Sequence, residues 1–85
     1  MPELIHEHSH RVLGADGTRY SVRVCGERRE DGTWVAWLEF VPVDPSQRPL
    51  RTGRETSQPN RAAVEYWATG LEPVYLEGAL ERARR

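Results

Sequence analysis

Residues Thr18 to Val43 read TRYSVRVCGERREDGTWVAWLEFVPV, and this stretch decides the fold. Two alternating runs flank Asp31-Gly32, the pattern of a long β-hairpin. With a three-residue loop, Glu30-Asp31-Gly32, and Gly32 in the left-handed conformation, Val22 faces Phe40, Val24 faces Leu38, Gly26 faces Ala36 and Arg28 faces Trp34. That face is apolar almost throughout. The other face pairs Ser21 with Val41, Arg23 with Glu39, Cys25 with Trp37 and Glu27 with Val35. A two-residue Asp31-Gly32 loop would set Val24 against Glu39 and Phe40 against Arg23. A one-residue slip moves every side chain to the other face, so the mixed pairing loses.

Upstream, LIHEHSHRVL (residues 4–13) alternates weakly and runs into Gly14-Ala15-Asp16-Gly17. This predicts a first strand joined by a hairpin to Thr18, with residues 1–10 free to fray. Downstream, Pro42 and Pro45 end the second hairpin strand, because proline cannot donate to a ladder. Residues 44–50 read as a surface loop, and Leu50 to Ser57 as one further strand weakened by Gly53.

Helix signals follow. Thr56 or Ser57 is the expected cap, Pro59 falls in the first turn and Gly70 closes a left-handed C-cap. Ala63, Val64, Trp67, Ala68 and Leu71 share one face. Pro73 opens a second helix whose stripe is Leu76, Ala79, Leu80 and Ala83, and Gly78 reads as a point of close approach to the neighbouring helix. Arg82, Arg84 and Arg85 suit the negative pole of that helix. Strands followed by helices imply an α+β fold: an antiparallel three- to four-stranded β-meander packed against two C-terminal helices, in a single domain over 1–85.

Composition narrows the function. A net charge of −1 excludes an overall basic field for nucleic acid or anionic lipid. Hydrophobic residues at 38% with a mean hydropathy of −0.72 describe a folded but very polar small domain. Every basic residue is Arg, which reads as codon bias in a GC-rich, bacterial genome before it reads as phosphate recognition. A lone Cys25 forbids an internal disulfide, and MPELIHEHSH lacks the form of a signal peptide, so a cytoplasmic location is expected.

The segments EDGTWVAWLEFVPV and GRETSQPNRAAVEYW resemble the HicB-like antitoxin family. The nearest matches are the acidic-Gly turn, Gly53, Thr56 and the Ala62-Ala63 pair, with one extra residue between Gly and Thr. The likeness covers about half the chain. It departs from the family pattern at Val43-Asp44-Pro45-Ser46, where a proline-glycine segment is usual, and it lacks an appended DNA-binding region. The resemblance implies a protein-binding role, neutralising a small RNA-cleaving partner.

Four constellations compete for function. Trp37, Val35, Val41, Arg23 and Glu39 lie on the less apolar hairpin face, where an uncovered Trp beside Arg would anchor a partner. The opposing reading has the N-terminal segment or a helix folding over Trp37. Arg48, Arg51, Arg54 and Arg61 cluster in sequence before a helix N-terminus, a pattern for anion or nucleic-acid binding, or simply a solvated loop. His6, His8 and His10 would share one strand face, as metal ligands or as a polar terminal strand; the latter reading is favoured, so no metal is expected. Cys25, across from Trp37, has no base in register and reads as a small half-buried residue. Tyr66 and Tyr75 read as packing beside the helix junction. No paired acid and base, activated nucleophile or phosphate-cradling glycine loop occurs, so neither catalysis nor a cofactor is expected. The expected function is a small protein–protein interaction module, antitoxin-like in type. It acts as a homodimer or with a small protein partner, through the Trp37 face or a free sheet edge. The alternative is anion or nucleic-acid binding through the Arg-rich 48–61 segment.

Overall fold

The computed structural model describes all residues from Met1 to Arg85. Six strands form one antiparallel sheet: β1 (Glu3–Glu7), β2 (Val12–Leu13), β3 (Arg19–Arg28), β4 (Trp34–Pro42), β5 (Leu50–Arg51) and β6 (Thr56–Gln58). Two helices follow, α1 (Arg61–Thr69) and α2 (Pro73–Ala83), so the architecture is α+β.

The central hairpin has the register expected from its sequence. Val22 pairs with Phe40, Val24 with Leu38, Gly26 with Ala36, Arg28 with Trp34 and Cys25 with Trp37. The Arg29 and Gly32 N–H groups donate to the carbonyls of Thr33 and Arg29, and Gly32 holds φ +89°, a conformation that penalises any Cβ. Asp31 Oδ1 accepts from the Thr33 N–H at 2.9 Å and from its hydroxyl at 2.6 Å. The same Asp-Gly-Thr device recurs at the first turn, where Asp16 Oδ1 accepts from the Thr18 N–H at 3.0 Å and Gly17 has φ +86°.

The sheet is a four-position meander whose two outer positions are each filled by two strands. β1 and β2 both pair with β3, while β5 and β6 both pair with β4. On one side the His8 N–H donates to Val22 and Val12 lies opposite Tyr20, so the edge uses four steps where β3 uses two. On the other, the Thr52 N–H donates to Leu38 and Thr56 lies opposite Ala36, again four steps against two. A further bulge between Leu4 and His6 turns Ile5 into the core. Bulged and interrupted edges resist pairing with another strand.

The expected single strand over Leu50–Ser57 is therefore two strands around Gly53-Arg54, and the N-terminal residues expected to fray are hydrogen-bonded into the sheet over Glu3–Glu7. Thr56 and Ser57 belong to β6, and the α1 cap is Asn60, whose side chain accepts from the Ala63 N–H at 2.8 Å. Gly70 has φ −92°, not a left-handed value. Gly78 is exposed with only the Arg82 side chain nearby, so it mediates no helix contact.

Both helices lie on the apolar hairpin face. Val64 and Ala68 of α1, with Leu76, Ala79 and Leu80 of α2, join Val22, Val24, Trp34, Ala36, Leu38 and Phe40 in one core of 14 buried residues. Trp67 and Tyr75 pack edge to face at 6.3 Å. Glu55 ties α2 to the sheet edge: it accepts from the Tyr75 hydroxyl and from Arg82. Tyr66, expected to pack, is 84% exposed. No helix is long and apolar enough to cross a membrane.

Candidate docking face

The second face of the sheet carries the odd-numbered residues of β3 and the residues opposite them, and no helix residue joins its small cluster of Cys25, Val35 and Trp37. Trp37, expected to stand open on this face, is only 4% exposed. Arg51 lies over it: its guanidinium carbon is 4.2 Å from the Trp37 ring centroid, a cation–π stack. Glu39 organises the polar surround. One carboxylate oxygen accepts from Trp37 Nε1 at 3.4 Å, and the other meets Arg23 Nη2 at 3.5 Å. Arg23 Nε is buried without a hydrogen-bond partner. The anchor expected at Trp37 thus sits beneath a charged layer, because Arg51 is directly opposite Glu39 on β5 and reaches back over the ring.

What this face exposes lies at its two ends. Leu4, opposite Cys25, is 49% exposed; Leu13, opposite Arg19, is 63% exposed; Val43, whose N–H donates to the Arg19 carbonyl, is 52% exposed. Val41 is half-buried between them. Leu4, Leu13 and Arg51 were not legible as members of this face, since both edge strands slip in register where the sequence shows only weak alternation. Their signal is parity: Ile5 and Val12 are buried, so Leu4 and Leu13 point the other way.

The arginine quartet does not assemble. Arg51 stacks on Trp37 at one sheet edge, whereas Arg61 meets Glu3 of β1 and Glu65 of α1, each at 3.1 Å, at the other edge. Two strands intervene between those edges, a span of roughly 14 Å. Arg48 and Arg54 stand on exposed loops. No shared anion site links the four.

Cys25 is buried, and burial together with nearby Glu39 pushes its thiol up, so the thiolate is disfavoured. His6 and His8 are adjacent, with ring centroids 4.8 Å apart, while His10 lies beyond β1. Surface depressions at the hairpin tip, from Glu27 to Asp31, and beside β2, from Ser9 to Leu13, are shallow, and only the first is mostly polar. Comparison with protein-family models, with curated proteins and with solved structures found no match.

Proposed function

We propose that the chain is a small protein-binding module whose docking surface is the helix-free face of its sheet, and that a second copy occupies it. The observation that carries this reading is that Leu4, Leu13 and Val43 all stand on the one face whose buried cluster no helix residue joins, Leu13 and Val43 together beside Arg19 and Leu4 six positions along β3 beside Cys25. These are three of the six large hydrophobic residues the molecule exposes, so apolar exposure is concentrated where the fold provides no cover.

Self-association suits the charge pattern. The face mixes Arg19, Arg23 and Arg51 with Glu7, Glu27 and Glu39, so a two-fold axis can set unlike charges against one another. A net charge of −1 leaves no long-range repulsion between copies. The molecule measures 40 × 23 × 20 Å, and its broadest face matches the ~800 Å² that one partner contributes to a standard interface. Strand addition is the weaker route, since both edges are interrupted. The resemblance to HicB-like antitoxins supports the same class of activity, with a foreign small protein as the occupant.

Trp37→Ala would disturb the buried cluster, so the test uses exposed positions. Wild type is expected to sediment as a dimer at tens of micromolar, and Leu13→Arg and Val43→Arg as folded monomers. A wild type that stays monomeric across that range removes the second copy as occupant.

A further inference from the structure

The helix-free sheet face has two unlike ends. One is Arg19, flanked by exposed Leu13 and Val43; the other is Glu27, two positions beyond Cys25 and its exposed neighbour Leu4. Between them lie a neutral row, Ser21 and Val41, and a row of alternating charge across four strands, Glu7, Arg23, Glu39 and Arg51. Arg19 makes no ion pair within the chain. Glu27 meets only the N-terminal ammonium, at 3.2 Å. That pair is open to solvent, so it contributes little and leaves the carboxylate free to accept a second cation. The apolar spots at Leu13 and Leu4 are six positions apart along β3, roughly 20 Å, too far to form one patch within a single copy.

Resting on the docking reading above, we propose that two copies pack face to face about a two-fold axis that crosses the strands at the level of Val22 and Phe40, seating Leu4 of each copy on the partner's Leu13. Val22 is midway between Arg19 and Cys25, so reversing a copy there exchanges the two apolar ends. An axis across the strands also keeps each edge over the same edge, and Leu4 and Leu13 share one edge, both lying beside β3. Val43 then falls over the partner's Trp37, beneath its Arg51 layer. Arg19 comes within one ladder step, roughly 7 Å along the strand, of the partner's Glu27. The charged row settles over the neutral Ser21 and Val41 row instead of over its own copy. Sheets stacked this way stand about 10 Å apart with strands within about 30° of each other, a gap that side chains fill. An axis along the strands fails on both counts. It gathers the two Arg19 side chains at one end and the two Glu27 side chains at the other, and like charges in apposition are costly. It also turns Leu4 towards the β5–β6 edge, which exposes no large hydrophobic residue.

The test is isotope-filtered NMR on wild-type dimers mixed from ¹³C-labelled and unlabelled chains. Intermolecular cross-peaks are expected between the methyl groups of Leu4 and the partner's Leu13, and none from Leu13 to the partner's Leu13. A dimer without the Leu4 cross-peak overturns this arrangement while leaving the second copy in place as occupant. A chain that stays monomeric removes the docking reading itself, and this inference with it. Sedimentation of charge variants gives a second measurement. The Arg19–Glu27 contact occurs twice in a symmetric dimer, so Arg19→Glu should weaken association about tenfold. Adding Glu27→Arg to the same chain should recover part of that loss, whereas simple addition of the two single effects overturns the pairing. The wild-type cross-peaks decide the matter even if a variant fails to fold.

Discussion

Thr52 is a hydroxyl residue buried at the sheet edge, and its side chain completes the ladder where the backbone departs from it. Its Oγ1 accepts from the Leu38 N–H at 3.0 Å and donates to the Gly53 carbonyl at 2.8 Å. Thr52→Val keeps the shape and orphans a buried N–H, which should cost about 1–3 kcal/mol, measured by urea unfolding. Nothing local in the sequence marks Thr52 for this task, because the task exists only once β4 lies alongside. Trp37 carries the same lesson. Its pairing with Cys25 was legible, but its cover is a guanidinium 14 positions away that reaches it through the fold.

At the scale of elements, the hairpin was readable because its alternation, its turn chemistry and its apolar face all favour one register. The two glycines that were expected to be left-handed separate in the structure. Gly32→Ala forces a Cβ into φ +89° and should destabilise by about 1–2 kcal/mol. Gly70→Ala meets φ −92° and only ordinary contacts, the nearest at 3.7 Å, so it should be neutral or stabilising by up to about 1 kcal/mol. Thermal unfolding of the pair of variants checks both signs. The edge strands resisted reading for a physical reason. The bulge between Leu4 and His6 adds one residue and inverts the parity on which any alternation argument depends, while the two extra residues at each strand break keep parity but interrupt the run that would mark a strand.

For the whole molecule, stability should fall on both sides of neutrality. His8 binds its proton less readily folded than unfolded. Its contribution is complete above about pH 6.5 and is lost as the pH falls through the lower folded value. Asp16, Asp31 and Asp44 are also held low, by hydrogen bonds from Thr18, Thr33 and Ser46, so their contribution fades only in the more acidic carboxylate range. On the alkaline side, burial and the hydrogen bond to Glu55 push the Tyr75 phenol up to about 12. That contribution is complete below about pH 10 and disappears as the pH rises towards the folded value. The Cys25 thiol, pushed up by burial and Glu39, adds an earlier loss that begins above about pH 8.5. Melting temperatures across pH 4 to 11 should show a plateau from about pH 6.5 to 8.5. His8→Gln should flatten the limb that begins near pH 6.5, and Tyr75→Phe the part of the alkaline limb above about pH 10.

Sequence alone determined the α+β class, the hairpin register and the helix stripes, because these follow from periods of two and 3.6 and from turn residues acting over a few positions. Only the tertiary structure decided what covers Trp37, why the arginines at 48, 51, 54 and 61 do not meet, and which hydrophobic residues remain exposed. These outcomes depend on contacts between elements distant in the chain and on the slips at both sheet edges, which local periodicity does not encode.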